Sequence, residues 1–577
     1  MRSTFAGLNT MYRGIVTNQL SLDTVGHNIS NADTDGYSRQ KVNQAATNAM
    51  SYSTVYGTVM VGSGTDALSL TRARNVYADK QYWKENATQS YYESRQTNYD
   101  KVEAIFNDTS NAGIQNALEE FYKSWVDLSA NASTTSNRTT VIEQAKVFID
   151  RLNTANTQLQ EQISATYDDM KLNINKINDM ADEIVELNKN IASIEATGTH
   201  ANDLRDKRDL MVDEFSKYIN VTVYEDSQTG MYQLVSNGVS LVSGLTSLHL
   251  EMEEPGIANK TYGITDYSLT IKETGTVFAP TDGVIKAEID EVAEDKTYMD
   301  KLANMAAFMM TTFNEQHRAG YGIDGSRTDV NKTNINFFGD KDTDYTWDND
   351  KQVVVAINRT DPAKKQELSG IEIMKAMLVN SQLTGPDGTE YVCAAGETLI
   401  AEGEPEEVTE EIYNQSVLQP NGKRIMPGDP TRGNRTVTEV YEKDGKYYKK
   451  AATYSVNETA DGSNAVLLSG LFNEGQGGTV NTTDPRSIGE ISLEAYYNAA
   501  MANLGASSEA MDDMVASQAI IITQVDTWRS STSGVNWNEE LTNMIMFQQG
   551  YAACSRCLTT MDEMLDRLIN NTGVVGR

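Results

Sequence analysis

The sequence predicts a multidomain α+β protein, with an elongated α-helical bundle and coiled coil formed by both chain ends and β-rich domains inserted in the middle. Three observations carry this. Seven-residue apolar repeats occupy both termini, the pattern of helices that pair along a seam. Long stretches without Pro or Gly, above all 139–196, read as helices of a bundle. Between them the pattern changes to period two, punctuated by Gly, Asn and Pro, which reads as short strands.

The N-terminal repeat comes first. Leu8, Ile15, Leu22 and Ile29 fall in one heptad position, and Met11, Asn18 and Val25 fall three residues later. A polar, Gly-broken stretch follows, "NISNADTDGYSRQ", residues 28–40. Residues 80–130 then read as helix rich in Tyr and Trp, and 139–196 as a longer helix with Ile163, Met170, Ile177, Ile184 and Ile191 spaced by seven. "TGT" at 197–199 ends that run, and another helix follows over 201–219.

Next, "VTVYED", "MYQLV", the Asn237-Gly238 turn and "VSLV" predict a β-meander. A helix returns at 296–318, residues 330–485 read as short strands and polar loops with most of the nine Pro, and 490–530 is helical again. The C-terminal repeat closes the chain, with Met544, Tyr551, Leu558 and Leu565 in one row and Phe547, Cys554, Met561 and Leu568 in the other. The expected organisation is therefore 1–35 plus 541–577 as paired terminal helices, 36–219 plus 486–540 as a long helical bundle, 220–329 as a β-rich domain with a returning helix, and 330–485 as an inserted β-rich outer domain. Both termini belong at one end of such a hairpin topology.

Composition bounds the function. At 577 residues the length suits roughly four domains. The chain has 81 acids against 48 bases, a net charge of −33. Such a field repels phosphate backbones and anionic lipid, which argues against nucleic acid and membrane surfaces. The acidity is concentrated in the middle, densest at "EGEPEEVTEE" (402–411). Arg2, Arg13, Arg39 and Lys41 outweigh Asp23, Asp33 and Asp35 at the start, and Arg556, Arg567 and Arg577 balance Asp562, Glu563 and Asp566 at the end. The ends can therefore approach copies of themselves without strong repulsion. Three Cys make no disulfide framework, and no apolar run reaches the ~20 residues of a membrane helix. "MRSTFAGLNTMYRG" lacks the apolar core of a cleaved signal peptide.

No catalytic, cofactor or metal constellation emerges. His27, His200, His249 and His317 have no His or Cys at ligand spacing, and each reads as a surface or turn residue. "GSGTDA" (62–67) resembles a dinucleotide fingerprint but lacks the βαβ alternation that gives it meaning. "DKDTDYTWDNDK" (340–351) spaces acids like a calcium loop, yet Tyr345 and Lys351 stand where Gly and Glu are needed, so it reads as a solvated turn. Cys554-Ser-Arg-Cys557 has redox spacing inside the terminal seam, where packing explains Cys554 better.

The segment "LNTMYRGIVTNQLSLDTVGHNISNADTDGYSRQ" resembles the N-terminal signature of the bacterial flagellar axial proteins, a helix followed by an Asn-rich turn and Gly-Tyr. Its Ser-Arg-Gln ending is similar to the hook–filament junction members. Residues 117–146, 202–226, 313–325 and 533–569 resemble further family elements in the same order. Asp35 stands where the family favours Pro, and Trp537-Asn538 where Leu-Asp is usual.

The resemblance implies a structural adaptor of the bacterial flagellum, not an enzyme, joining hook to filament and self-assembling through its terminal helices after type III export. It implies partners: copies of itself in a ring of the flagellar axis, hook protein, a second hook–filament junction protein, a flagellar export chaperone and the type III export apparatus. It places the chain in the cytoplasm before export and outside the cell afterwards. Its motif residues would be Asn28, Asn31, Gly36, Tyr37, Ser38, Arg39 and Gln40, together with the two seams. Another axial protein (the second junction protein, flagellin or hook protein) is the near alternative; an enzyme or adhesin displayed by 330–485 is the distant one.

Overall fold

The computed structural model describes residues 6–55, 57–106, 113–254, 259–323, 332–418, 423–430, 435–443, 445–456, 461–473 and 492–571. Its helices of eleven residues or more are α1 (Ala6–Ser30), α2 (Val76–Phe106), α3 (Ile114–Ala130), α4 (Thr135–Glu195), α5 (Asn202–Tyr218), α6 (Val284–Phe308), α7 (Ser463–Asn473), α8 (Leu493–Ser533) and α9 (Trp537–Asn571).

The two terminal helices pair, as their repeats predict, and they run antiparallel. A methyl group on Gly7 would stand 2.8 Å from Met561 Sδ, one on Gly14 2.9 Å from Cys554 Sγ, and one on Gly550 2.6 Å from Asn18 Oδ1. Farther along, Asn28 hydrogen-bonds Glu540. Each step forward on α1 is matched by an equal step back on α9, so the register holds for about six turns.

Which side of α1 is buried differs from the expected seam by one residue. The predicted row Leu8, Ile15, Leu22 and Ile29 is only half-buried. The buried positions are Gly14, Thr17, Ser21, Thr24, Val25 and Asn28, mostly small or polar. They lie between α9 and a hairpin that apolar counting does not weigh. That hairpin is β1 (Gln40–Ala46) with β4 (Thr65–Arg72), antiparallel with a register shift between Asn43 and Gln44. Thr17 donates to the Thr65 carbonyl and Gln44 to Ser21 Oγ, so hydroxyls face the strands. Between β1 and β4 a second hairpin projects, β2 (Met50–Thr54) with β3 (Gly57–Val61). The Gly-rich stretch at 62–64 thus joins β3 to β4 and opens no helix.

The bundle is built on α4, 61 residues long, with Ile163, Met170, Ile177, Ile184 and Ile191 all buried. Helices α2, α5 and α6 pack on it, and α8 lies along α2. The meander over 222–247 forms four antiparallel strands, with Asn237 and Gly238 at φ 45° and 80°, the left-handed pair that such a two-residue turn requires. The returning helix begins earlier than the expected 296, at Val284, and passes through a π-helical turn at Met309–Phe313 before ending at Ala319.

The border expected at 330 does not coincide with a break in packing. Phe337, Phe338, Met374 and Val392 share one core with Phe121, Trp125, Phe148 and Phe313 of the helical body, and so does Phe472 of α7. Arg138, fully buried in α4, donates to the Thr389 and Val392 carbonyls. Among the described residues, only the sheet between 398 and 455 has its own small core, Ile425, Val437, Ala452 and Tyr454. The acid-spaced stretch at 340–351 carries a strand, Thr343–Asp348, paired with Val353–Asn358. His317 is fully buried rather than superficial. Its Nδ1 lies 2.7 Å from the Ile335 carbonyl and its Nε2 accepts the Cys393 amide, and burial pushes its pKa down to about 4.

Candidate functional site

The motif residues of the opening stretch converge on one place, the joint where the terminal helix pair meets the bundle. Asn28, on the last turn of α1, is its centre. Its side-chain amide donates to the Gln40 carbonyl (3.0 Å) and to Glu540 Oε2 (3.1 Å), while its Oδ1 accepts from the Tyr37 hydroxyl (2.8 Å) and the Gln40 amide (2.9 Å). All four hydrogen-bonding capacities are filled in a buried site, the condition under which a buried polar group stabilises. Burial, then the nearby Asp203, Asp206 and Glu540, push the Tyr37 pKa far up, so the phenol stays protonated and donates.

Gly36 has φ +74°, and a side chain there would also press on Leu210 at 3.0 Å. Ser38 donates its amide to Asp206, and Gln40 its side-chain amide to Asp203. Arg39 reaches the other chain end: its amide donates to the Ser533 carbonyl (2.8 Å), and its guanidinium pairs with Glu539 (2.9 Å). The turn after α1 and the turn before α9 are thus stitched to each other. Asn31 lies at the exposed edge and donates to the His27 carbonyl.

Beneath the joint is a buried ionic network. Arg72 pairs with Asp206 (2.6 Å) and Asp209 (2.8 Å), Arg74 with Asp79 (3.0 Å) and Asp209 (3.3 Å), and Arg529 with Asp79 (3.0 Å) and Asp213 (2.6 Å). Burial alone would raise Asp209, but Arg74 and Arg72 hold it below the usual carboxylate range. Asp213 is pushed up to about 6 by burial, with Arg529 and the Trp83 indole N–H opposing. The network ties β4 and α2 to α5 and to the far end of α8, whose segments are hundreds of positions apart. Removing one partner of such a set leaves an uncompensated buried charge.

Among the predicted seam residues, Met544, Phe547, Leu558, Met561 and Leu565 are half-buried toward α1, while Tyr551 and Leu568 are exposed. The motif reading missed Glu540, 3% exposed, and the acids of α5. A signal for the latter was present: Asp203, Asp206, Asp209 and Asp213 repeat at three- and four-residue spacing, which gathers carboxylates on one helix face.

Around the pair, apolar side chains remain uncovered: Tyr12, Val16 and Leu20 on α1, and Leu541, Ile545, Met546, Met564 and Ile569 on α9. At 100° per residue, Met546 and Met564 lie on one flank of the α1-facing seam and Tyr551 and Ile569 on the other. Among the described residues no three His, Cys, Asp or Glu are grouped to hold a metal, and no helix is long and apolar enough to cross a membrane.

The site is thus a two-helix rod with exposed apolar flanks, stitched to the helical body by hydrogen bonds and a buried ionic network. The comparisons with known proteins make the class specific. The flagellar hook-associated protein FlgK helical domain matches residues 99–338, and the flagellar basal body rod FlgEFG C-terminal domain matches residues 529–571. The chain is 25% identical to flagellar hook-associated protein 1 of Bacillus subtilis over 610 aligned positions, with all of both chains covered. It is 24% identical to the protein of that name from Escherichia coli, covering 98% of this chain and 99% of that one. The solved flagellar hook junction protein FlgK from Burkholderia pseudomallei shares the fold, at a TM-score of 0.54 and 15% identity, covering 79% of this chain and all of that one. The chain thus matches the FlgK helical-domain model and, along its whole length, proteins named flagellar hook-associated protein 1; FlgK hook-associated proteins join hook to filament in the flagellum.

Proposed function

We propose that this chain is the structural adaptor between hook and filament, and that it assembles through the rod made by α1 and α9. The observation that carries this reading is the rod itself: its helices pair with each other, yet apolar residues stay exposed along both flanks. In a soluble subunit such a row marks a surface awaiting a partner. Copies of the same chain in a ring of the flagellar axis fit it, because both ends carry almost no net charge. Hook protein on one side and a second junction protein on the other complete the stack. Before assembly the chain passes through the type III export apparatus, with a dedicated chaperone covering the exposed apolar face of α9.

The test is genetic. A strain without this chain should build hooks, grow no filaments and shed flagellin into the medium. Met546→Asp should do the same while the purified protein melts within about 2 °C of the parent, because Met546 is already exposed. Thr559→Asp, on the face turned away from α1, should support filaments. Normal swimming of Met546→Asp cells would remove that flank from the assembly surface.

A further inference from the structure

The hairpin β2–β3 is built in a way that a solitary hairpin is not. Two strands alone are at best marginally stable in water. This pair buries almost nothing of its own: Val55 is 96% exposed, Met60 64% and Val59 48%. Monomeric proteins guard such edges with charges or Pro, but between Lys41 and Asp66 the sequence contains neither. In a chain of net charge −33, a charge-free projection is a surface on which two copies can approach.

A second charge-free apolar face lies on α8. Met514, Ile520, Ile521 and Trp528 are exposed there, with Ile520 at 71%, and no charged residue occurs from 514 to 525. Trp528 packs on Tyr77 at 5.6 Å between ring centres, and Tyr77 and Val76 are themselves exposed, which widens the face. The adjoining side of α8 is already engaged, through Gln518 to Glu85 and Arg529 to Asp79 and Asp213, so Met514, Ile521 and Trp528 flank that contact and Ile520 points away from it. The hairpin and this stripe lie on opposite sides of the joint. The hairpin is rooted beside Thr10 and Arg13, where Arg13 pairs with Asp66 at 2.7 Å. From Arg13 to Asn28, α1 runs roughly 22 Å back to the joint, and the stripe begins beyond it.

We propose that the β2–β3 hairpin of one copy docks on the α8 stripe of the next copy. Each copy offers one hairpin and one stripe, so the contact is head-to-tail, the kind that propagates into a ring or a helix rather than stopping at a dimer. The proposal rests on the adaptor reading above and adds the surface that chooses the neighbour.

The experiment uses charge complementation in the full-length chain. Val59→Lys and Ile521→Glu are expressed singly, combined in one chain, and as two singly substituted chains in the same cell. Each single variant should melt within about 2 °C of the parent and lose at least tenfold in filament-bearing cells. The combined chain should regain attachment, because the lysine of each hairpin now meets the glutamate of the next stripe. Co-expressed single variants should also regain part of it, since an intact hairpin then finds an intact stripe and lysine finds glutamate on alternating copies. If both singles swim like the parent while the deletion strain sheds flagellin, the docking proposal fails and the adaptor reading stands. If the combined chain recovers but co-expression does not, the contact is made within one chain and the proposal is overturned. If the deletion strain itself grows filaments, the adaptor reading fails.

Discussion

Asn28 shows how a polar residue can organise a joint. Its amide group links the end of α1, the first residue of β1 and the first turn of α9 in one set of four hydrogen bonds. Asn28→Asp keeps the two acceptor interactions but turns the donor toward Glu540 and the Gln40 carbonyl into a carboxylate oxygen. The expected loss is about 3 kcal/mol, from the unmade bonds to Glu540 and to the Gln40 carbonyl and one close like-charge contact. Adding Glu540→Gln removes the second carboxylate and supplies a new donor, so the double variant should be more stable than Asn28→Asp alone. Melting curves of the four proteins measure this coupling. Strict additivity would show that the two residues do not interact.

At the scale of single elements, α6 carries an unusual load. Glu288, Glu291 and Asp295 are buried on one face and meet Asn173, Ser94 and Asn98 with Gln162, not a paired cation. Burial pushes them up to about 8, about 7 and about 7. In the unfolded chain the same groups release their protons near pH 4. The folded state therefore binds more protons across that interval, and folding becomes less favourable as pH rises from about 4 to 8. Replacing all three (Glu288→Gln, Glu291→Gln, Asp295→Asn) should stabilise the protein at pH 8.5 by on the order of 3 kcal/mol and change little at pH 4. Denaturant midpoints at the two pH values test it. His317 works in the opposite direction, since a folded pKa near 4 makes acid destabilising below its usual value, and it contributes equally to parent and variant.

The rod is another element with a specific sensitivity. Gly550 faces Asn18, whose side chain is held by the Gly14 carbonyl at 2.7 Å. Gly550→Val would force Asn18 out of that bond and separate the helices, whereas Gly7 faces only the flexible end of Met561. Gly550→Val should therefore speed amide exchange in α1, while Gly7→Ala should leave it nearly unchanged. Equal protection in both variants would mean that close approach does not hold the pair.

For the whole molecule, the useful division is between the shared core and the sheet between 398 and 455, which has a core of its own. Gly396 and Asp461 are joined by a hydrogen bond of 3.1 Å, so the chain leaves and re-enters the body at nearly one point. Replacing 397–460 by a short Gly-Ser linker should preserve the helical circular dichroism and the melting of the body. Removing 332–395 should not, because Phe337, Phe338 and Val392 then leave the cluster around Phe121 and Trp125, each a cavity of several kcal/mol. An intact body after the second deletion would make that stretch a separate unit after all.

Much of this architecture was legible in local pattern. Heptads predicted that the ends are helices with seams, Asn237-Gly238 predicted its hairpin, and Ile163 through Ile191 predicted the buried side of α4, since each is a statement about neighbours within a few residues. The resemblance to the flagellar axial proteins, rather than local pattern, marked six residues of the joint, Asn28 and Gly36 to Gln40. What each surface packs against is not local. The buried row of α1 is small and polar because strands and α9 crowd it, a fact invisible to apolar counting. The insertion belongs largely to the body because three phenylalanines meet others far away in sequence. Glu540 reads as an ordinary acid in the first turn of a helix; only the fold brings it to Asn28, 512 positions away, and burial there makes it part of the joint.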